Sequence, residues 1–136
     1  MGLFYNDRKI WAAKWLLDQL GTQINKYKCE IAEYNGYRAN VVTIKDISSI
    51  QKHYDDEILG EASELLEENK HVIFQVKDNR DLAKSKLYIS EDGRRAIKSS
   101  FYLKLFIEVW VKRLALISVI VVAIFTVIGV CNKSQS

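Results

Sequence analysis

The apolar residues near the start of the chain recur with helical spacing. Between residues 6 and 34 they follow at intervals of three or four positions, as Ile10, Ala13, Leu17, Leu20, Ile24, Tyr27 and Ile31. This spacing places side chains in one stripe along a helix. We therefore predict an N-terminal amphipathic helix within residues 1–36, capped by Asn6 and able to bend or break at Gly21, since glycine weakens a helix interior.

This stripe has two interpretations that the residues leave open. Packing into a hydrophobic core is the simpler one, and the heptad-like spacing also permits a dimer seam. Trp11 and Trp15 lie beside the stripe and widen it toward a second surface, such as a membrane or another subunit.

A turn at Asn35-Gly36 separates the first helix from a mixed segment, residues 37–100. Thr43 or Asp46 is expected to cap a short helix carrying Ile47, Ile50 and Tyr54. A longer helix over residues 55–69 should bury one apolar face, formed by Ile58, Leu59, Ala62, Leu65 and Leu66. Two strands should follow, "HVIFQV" and "KLYIS", with a polar loop between them and Ser90 capping the final helix. The fold class is therefore α+β.

An uncharged run of eighteen residues, 114–131, predicts a transmembrane helix. A helix of this length rises about 27 Å, close to the thickness of a bilayer's hydrocarbon core. The preceding residues 101–113 mix apolar and charged side chains, which would cost several kcal/mol apiece at the bilayer centre. We expect them to form an interfacial amphipathic helix continuous with the span, while residues 132–136 form a short tail.

Charged residues around the span predict its orientation. Lys112 and Arg113 abut its start, whereas Lys133 alone follows it. Positive charge collects on the cytoplasmic side of a membrane helix, and tryptophan collects at headgroup level. We therefore expect a single-pass, tail-anchored protein with a cytoplasmic N-terminal domain, contacting the lipid bilayer interface through Trp110, Lys112 and Arg113.

The modest net charge of +3 hides an uneven distribution. Residues 1–54 carry eight Lys/Arg against five Asp/Glu, residues 55–69 carry none against seven, and residues 70–136 carry twelve against five. The chain is thus a strongly acidic helix between two basic regions.

Two phrases give residues 41–100 a resemblance to the winged helix-turn-helix domain, particularly the multiple-antibiotic-resistance regulator type. In that family the strand leaving the wing runs into a Leu-Thr-x-x-Gly-Arg phrase, and here "ISEDGR", Ile89 to Arg94, stands in that role. The family's recognition helix carries a leucine pair before a Glu-x-x-Gly-hydrophobic exit, which "ELLEENKHVI" matches except for the glycine. The resemblance implies a recognition helix over residues 55–69 and a two-stranded wing after it.

The acidic helix does not suit DNA. A recognition helix lies in the major groove, and basic residues around it neutralise phosphates. Carboxylates oppose this, so we interpret them as a protein-binding face: Asp55, Asp56, Glu57, Glu61, Glu64 and Glu68. The wing and the helix after it are better suited to phosphate or anionic lipid, through Lys77, Arg80, Lys84, Lys86, Arg94 and Arg95.

The sequence gives little indication of catalysis. His53 and His71 are the only histidines, and no Cys/His cluster has metal-ligand spacing. Cys29 and Cys131 do not form a disulfide framework, which fits a reducing cytosol. We expect no enzymatic activity, no cofactor and no metal.

The leading interpretation is a membrane-tethered, winged-helix-like adaptor or regulator that binds a protein partner at the cytoplasmic membrane face. Homodimerisation through the first helix and the membrane-proximal helix is compatible with it. A membrane-anchored transcription regulator that binds DNA through the basic wing is the alternative. A third class is a small membrane-active protein acting through its span, whose polar residues are Ser118 and Thr126.

Overall fold

Five helices and four strands make up the chain in the computed structural model, which describes residues 7–34 and 36–135. The helices are α1 (Asp7–Gly21), α2 (Ile44–Ile50), α3 (Asp56–Glu68), α4 (Glu91–Lys98) and α5 (Phe101–Gln135). The strands are β1 (Glu30–Tyr34), β2 (Tyr37–Thr43), β3 (Val72–Val76) and β4 (Lys86–Ile89). They form one antiparallel sheet in the order β1-β2-β4-β3, so the α+β class is confirmed.

The first helix is shorter than its apolar stripe predicted. It ends at Gly21, where a Cβ would meet the Ile97 side chain of α4 at 2.2 Å. Tyr27 is buried in the connection that follows, but Ile31 lies on β1 with 63% of its surface exposed, so the prediction of helix as far as residue 34 was wrong. The predicted cap, Asn6, lies outside the described residues.

The β1–β2 hairpin was not predicted, and a sheet limited to a two-stranded wing was therefore wrong. Its tight turn lies at the expected position, with Gly36 at a φ of +78°. Glu30 pairs with Val41, and β2 continues into the sheet by pairing Val42 with Leu87 of β4. Tertiary pairing thus overrides a local pattern that also fits a helix.

The segment that contains α2 and α3 follows its sequence pattern in most respects. Thr43 occupies the N-cap position of α2, but its side chain makes no capping hydrogen bond, and Asp46 lies within the first turn. Ile47 is fully buried, whereas Ile50 is half exposed and Tyr54 lies beyond the helix end. The Asp55 carboxylate caps α3 by accepting a hydrogen bond from the Ile58 N–H at 2.9 Å. The predicted apolar face is confirmed as buried: Ile58, Leu59, Ala62, Leu65 and Leu66.

Helix α1 lies between α3 and α5 and carries the centre of the core. Its buried residues include Ile10, Leu16 and Leu17, which pack in one cluster with side chains from α2, α3, β4 and α5. Each large side chain removed from water contributes about 1.5–3 kcal/mol. The core therefore fixes α3 and the start of α5 to one scaffold.

The C-terminal part contains two helices where one was predicted. Ser90 caps α4 as expected, because its Oγ accepts a hydrogen bond from the Gly93 N–H at 3.0 Å. The chain then breaks at Ser100, whose φ is +55°, before α5 begins. Helix α5 is unbroken from residue 101 to 135. This confirms that the segment before the apolar run, residues 101–113, is continuous with the run itself, residues 114–131. We call residues 101–113 the lead-in of α5.

Helix α5 is long and apolar enough to cross a membrane. Its stretch Phe101–Lys133 contains an 18-residue window with a mean hydropathy of 3.0, and the domain buries none of that window. Only the first turns of α5 pack against the domain, through residues such as Tyr102 and Val109. By length and composition, α5 is therefore a candidate transmembrane helix.

Candidate functional site: the α3 face, the wing and the membrane junction

The acidic residues of α3 lie on its outer surface, opposite the face packed on α1. Three of them have structural partners. Asp55 caps the helix, and Asp56 accepts a hydrogen bond from the Ser48 hydroxyl. Glu67 forms an ion pair with Lys77. Within the described part of the chain no ion pair or hydrogen bond involves the side chains of Glu57, Glu61, Glu64 and Glu68.

The loop of residues 77–85 connects β3 to β4 and forms the tip of the predicted wing. Asp78 Oδ1 accepts hydrogen bonds from the N–H groups of Arg80 at 3.0 Å and Asp81 at 3.1 Å. Asp81 Oδ1 in turn accepts one from Ala83, and the buried Ser85 hydroxyl accepts one from the Asp78 N–H. Both wing carboxylates therefore hold the loop in shape.

Four of the six basic residues predicted to contact phosphate or lipid already have partners within the chain. Lys77 Nζ lies 2.8 Å from Glu67 Oε1, and this hydrogen bond raises the pKa of Lys77. Lys86 pairs with Glu30 of β1 at 3.4 Å, Arg95 pairs with Asp92 at 3.2 Å, and the Arg94 guanidinium lies 5.3 Å from the Tyr37 ring centroid.

Arg80 and Lys84 remain as the exposed cations of the wing. Neither has an ion pair among residues 7–34 and 36–135. The wing is thus less basic in three dimensions than its composition indicates, because long-range pairing uses charges that a segment count treats as free.

A cleft of about 380 Å³ separates α3 from the wing. Helix and wing meet closely at Gly60, where a Cβ would lie 2.9 Å from the Leu82 Cβ. Arg80 is the one cation among the described residues that line the cleft. Four carboxylates line it as well: Asp56, Glu57, Glu61 and Asp81. The protein-binding and phosphate-binding residues predicted from sequence therefore adjoin each other here.

Helix α1 contacts the lead-in of α5 just before the apolar run, and we call this contact the membrane junction. Arg113 Nη1 lies 2.7 Å from Asp7 Oδ1, the Trp11 and Phe106 ring centroids are 4.9 Å apart, and Arg113 lies over the Trp110 ring. Lys112 pairs with Glu108 one turn earlier, at 2.9 Å. The sequence indicated Trp110, Lys112 and Arg113, but the contribution of Asp7 depends on two residues 106 positions apart and has no local signal.

The first turn of α3 lies near this junction. Arg8 Nη2 approaches Asp55 Oδ2 to 4.0 Å, while the adjacent Asp7 contacts Arg113. Asp7 and Arg8 are adjacent in α1, with Cα atoms about 3.8 Å apart. Together they connect Asp55, at the start of the acidic helix, to Arg113, which directly precedes the apolar run.

A buried contact links the segment that follows α3 to the start of α5. His71 Nδ1 and the Tyr102 hydroxyl are 2.8 Å apart, and the Phe101 ring lies edge-on to the imidazole at 4.6 Å. Burial lowers the pKa of His71, and the nearby Asp92 carboxylate opposes that shift. The sequence did not assign His71 a partner.

The remaining groups with reactive potential are isolated. Burial, with a smaller effect from Asp46, raises the pKa of the Cys29 thiol. No group of three or more His, Cys, Asp or Glu side chains in the described ranges is placed to hold a metal ion.

Comparisons with protein-family models, curated proteins and solved structures find no match for this chain.

Proposed function

We propose that the chain is a membrane-anchored adaptor or regulator whose winged-helix-like domain binds a basic protein partner at the cytoplasmic membrane face. The order α2, α3, β3, wing, β4 supports a winged-helix interpretation, as do two backbone details. Lys70, at the exit of α3, has a φ of +61°, a left-handed conformation that glycine favours, and it lies one position before the residue that stands for the glycine of the resembled phrase. Gly93 lies too close to the His71 carbonyl to carry a side chain.

The observation that carries the proposal is the unpaired acidic surface of α3. Among the described residues, the side chains of these four glutamates form no ion pair or hydrogen bond: Glu57, Glu61, Glu64 and Glu68. Arg8 and Arg80 lie near Glu57 and Glu61, but the carboxylates on this face outnumber these cations. Near a polyanion each of these carboxylates adds repulsion, whereas a basic protein surface is attracted and steered by the same field. The chemistry of this helix therefore favours protein over nucleic acid.

The location of α3 supports the same conclusion. Its first turn lies near Arg113, which directly precedes the apolar run. Insertion with Lys112 and Arg113 on the cytoplasmic side would bring that turn close to the anionic leaflet. A DNA duplex in front of α3 would then be repelled by the leaflet as well as by the glutamates.

One observation favours the alternative of a tethered DNA-binding regulator. Arg80 and Lys84 project from the wing without ion pairs in the described part of the chain, and a wing can contact a phosphate backbone. Two cations give a small phosphate contact compared with the six to ten of typical specific binders, so this alternative ranks second.

The span gives no comparable support to a membrane-active role. The hydroxyls of Ser118 and Thr126 donate hydrogen bonds to carbonyls one turn earlier, Leu114 at 2.9 Å and Val122 at 2.8 Å. These side chains are thereby satisfied within their own helix, as polar groups facing lipid must be.

Site-specific photo-crosslinking in the intact, membrane-bound chain tests the proposal. A photoreactive amino acid at residue 61 should capture a basic protein, while the same group at Glu33, an exposed carboxylate on β1, should not. Charge reversal by Glu57→Lys and Glu64→Lys should abolish the captured band. Equal capture at residues 61 and 33, or none at either, would contradict a partner bound to α3.

A further inference from the structure

The lead-in of α5 carries an apolar stripe that the domain does not cover. Leu103 is 38% exposed, Ile107 52%, Trp110 40% and Leu114 55%, at spacings of four, three and four residues. The face packed on the domain is a different one, because Tyr102 and Val109 are buried. At 3.6 residues per turn, the stripe lies about a third of a turn from that face. Its other side is bordered by Lys104, Glu108 and Lys112.

Lipid does not reach the upper part of this stripe when the helix stands across the bilayer. Leu103 precedes Leu114 by eleven residues and Ile107 precedes it by seven, which is about 16 Å and about 10 Å along the axis. The headgroup layer on one side of a bilayer is only about 5–8 Å thick. Both side chains would therefore stand in water, where exposed contiguous apolar surface usually marks a protein contact.

We propose that a second copy of this chain covers the stripe, forming a parallel pair through Leu103, Ile107, Trp110 and Leu114. Two copies inserted in the same direction present identical stripes at the same height, as a two-fold interface requires. The alternation of three and four residues continues without a break into the span, along exposed side chains: Ile117, Val121, Ile124 and Ile128.

The pair leaves the acidic face of α3 free. Helix α1 separates α3 from α5, and the stripe lies about a third of a turn from the face of α5 that contacts α1. A dimer would thus display two acidic faces to partners from one membrane anchor. This inference rests on the membrane anchoring proposed above, so its test reports anchoring and pairing separately.

Cysteine crosslinking in membranes tests the pairing. In a full-length Cys29→Ser, Cys131→Ser background, single cysteines replace Leu103 or Ile107, with Lys104→Cys and Glu108→Cys as matched controls one position away. After mild oxidation, the membrane fraction resistant to carbonate extraction is analysed on a non-reducing gel. We expect covalent dimer at residues 103 and 107 in several-fold excess over residues 104 and 108.

Two results would overturn the inference for different reasons. Equal or absent crosslinking at all four positions, in chains that resist extraction, would contradict pairing and leave anchoring intact. Recovery of the chain in the soluble fraction would overturn both.

Energy transfer between labelled chains in vesicles gives an independent measurement of pairing. Ile107→Lys should reduce the transfer several-fold, whereas Glu108→Lys should not. Equal transfer in both variants would contradict pairing through the stripe.

Discussion

Gly93 lies against the backbone carbonyl of His71, so closely that a Cβ at residue 93 would fall 2.1 Å from the His71 oxygen. The same oxygen accepts a hydrogen bond from the Ser90 N–H at 3.0 Å, and the Ser90 hydroxyl donates to the Lys70 carbonyl at 2.7 Å. The phrase that suggested a winged helix thus has a physical basis, because it joins the start of α4 to the exit of α3.

Substituting Gly93→Ala should destabilise the domain by about 2–3 kcal/mol or more. The methyl group cannot be accommodated without displacing backbone and breaking the Ser90–His71 hydrogen bond, a cost typical of overpacked sites. Denaturant unfolding of the full chain in micelles, followed by tryptophan fluorescence, measures the change. Gly129→Ala is the matched control, since a Cβ there meets nothing within 4 Å, and an equal loss in both variants would contradict the close approach.

Substituting Lys70→Gly should raise the free energy of unfolding by about 0.5–1 kcal/mol. Lys70 has a φ of +61° at the C-terminus of α3, where the N–H groups of Lys70 and His71 bond the carbonyls of Glu67 and Leu66. Glycine adopts this conformation without the cost that a Cβ imposes. Lys70→Ala, which keeps the Cβ, should give no such gain; equal stabilisation by alanine would show that the lysine charge is responsible.

The stability of the domain should fall as the pH drops below the ordinary histidine value of 6.5. Burial lowers the pKa of folded His71, so below that value the unfolded chain binds a proton that the folded chain resists. The contribution of His71 is therefore complete above pH 6.5 and is lost progressively toward its lower folded pKa.

Unfolding free energies measured from about pH 7 to about pH 5.5 check this dependence. His71→Gln should flatten the decline, whereas His53→Gln should keep it because His71 is still present. A decline of the same slope in His71→Gln would assign the effect to other groups.

The elements that sequence predicted well are those with one dominant local pattern. The apolar face of α3, strands β3 and β4, the Ser90 cap and the apolar run each have a period or a cap that needs no distant partner. Ile31 shows the limit. Its spacing from Tyr27 fits a helix, but the turn at Gly36 returns the chain so that β1 pairs with β2.

The candidate site was predicted less completely, because charge counting ignores where charges meet. Composition predicts Lys77 and Lys86 as contacts for phosphate or anionic lipid, yet they pair with Glu67 and Glu30. The link from Arg113 to Asp7 likewise depends on the final packing of α1 on α5. Such contacts follow from tertiary structure and have no counterpart in local sequence.

Duplex DNA binding by the full chain in nanodiscs tests most directly whether the domain is a protein-binding adaptor and not a DNA-binding regulator. A mixed-sequence duplex library is titrated at about 50 mM and about 150 mM salt, since phosphate contacts weaken steeply over this range. We expect no binding at the higher salt concentration. Binding that persists there and weakens on Arg80→Ala and Lys84→Ala, but not on Lys133→Ala, would contradict this account and identify a tethered DNA-binding regulator.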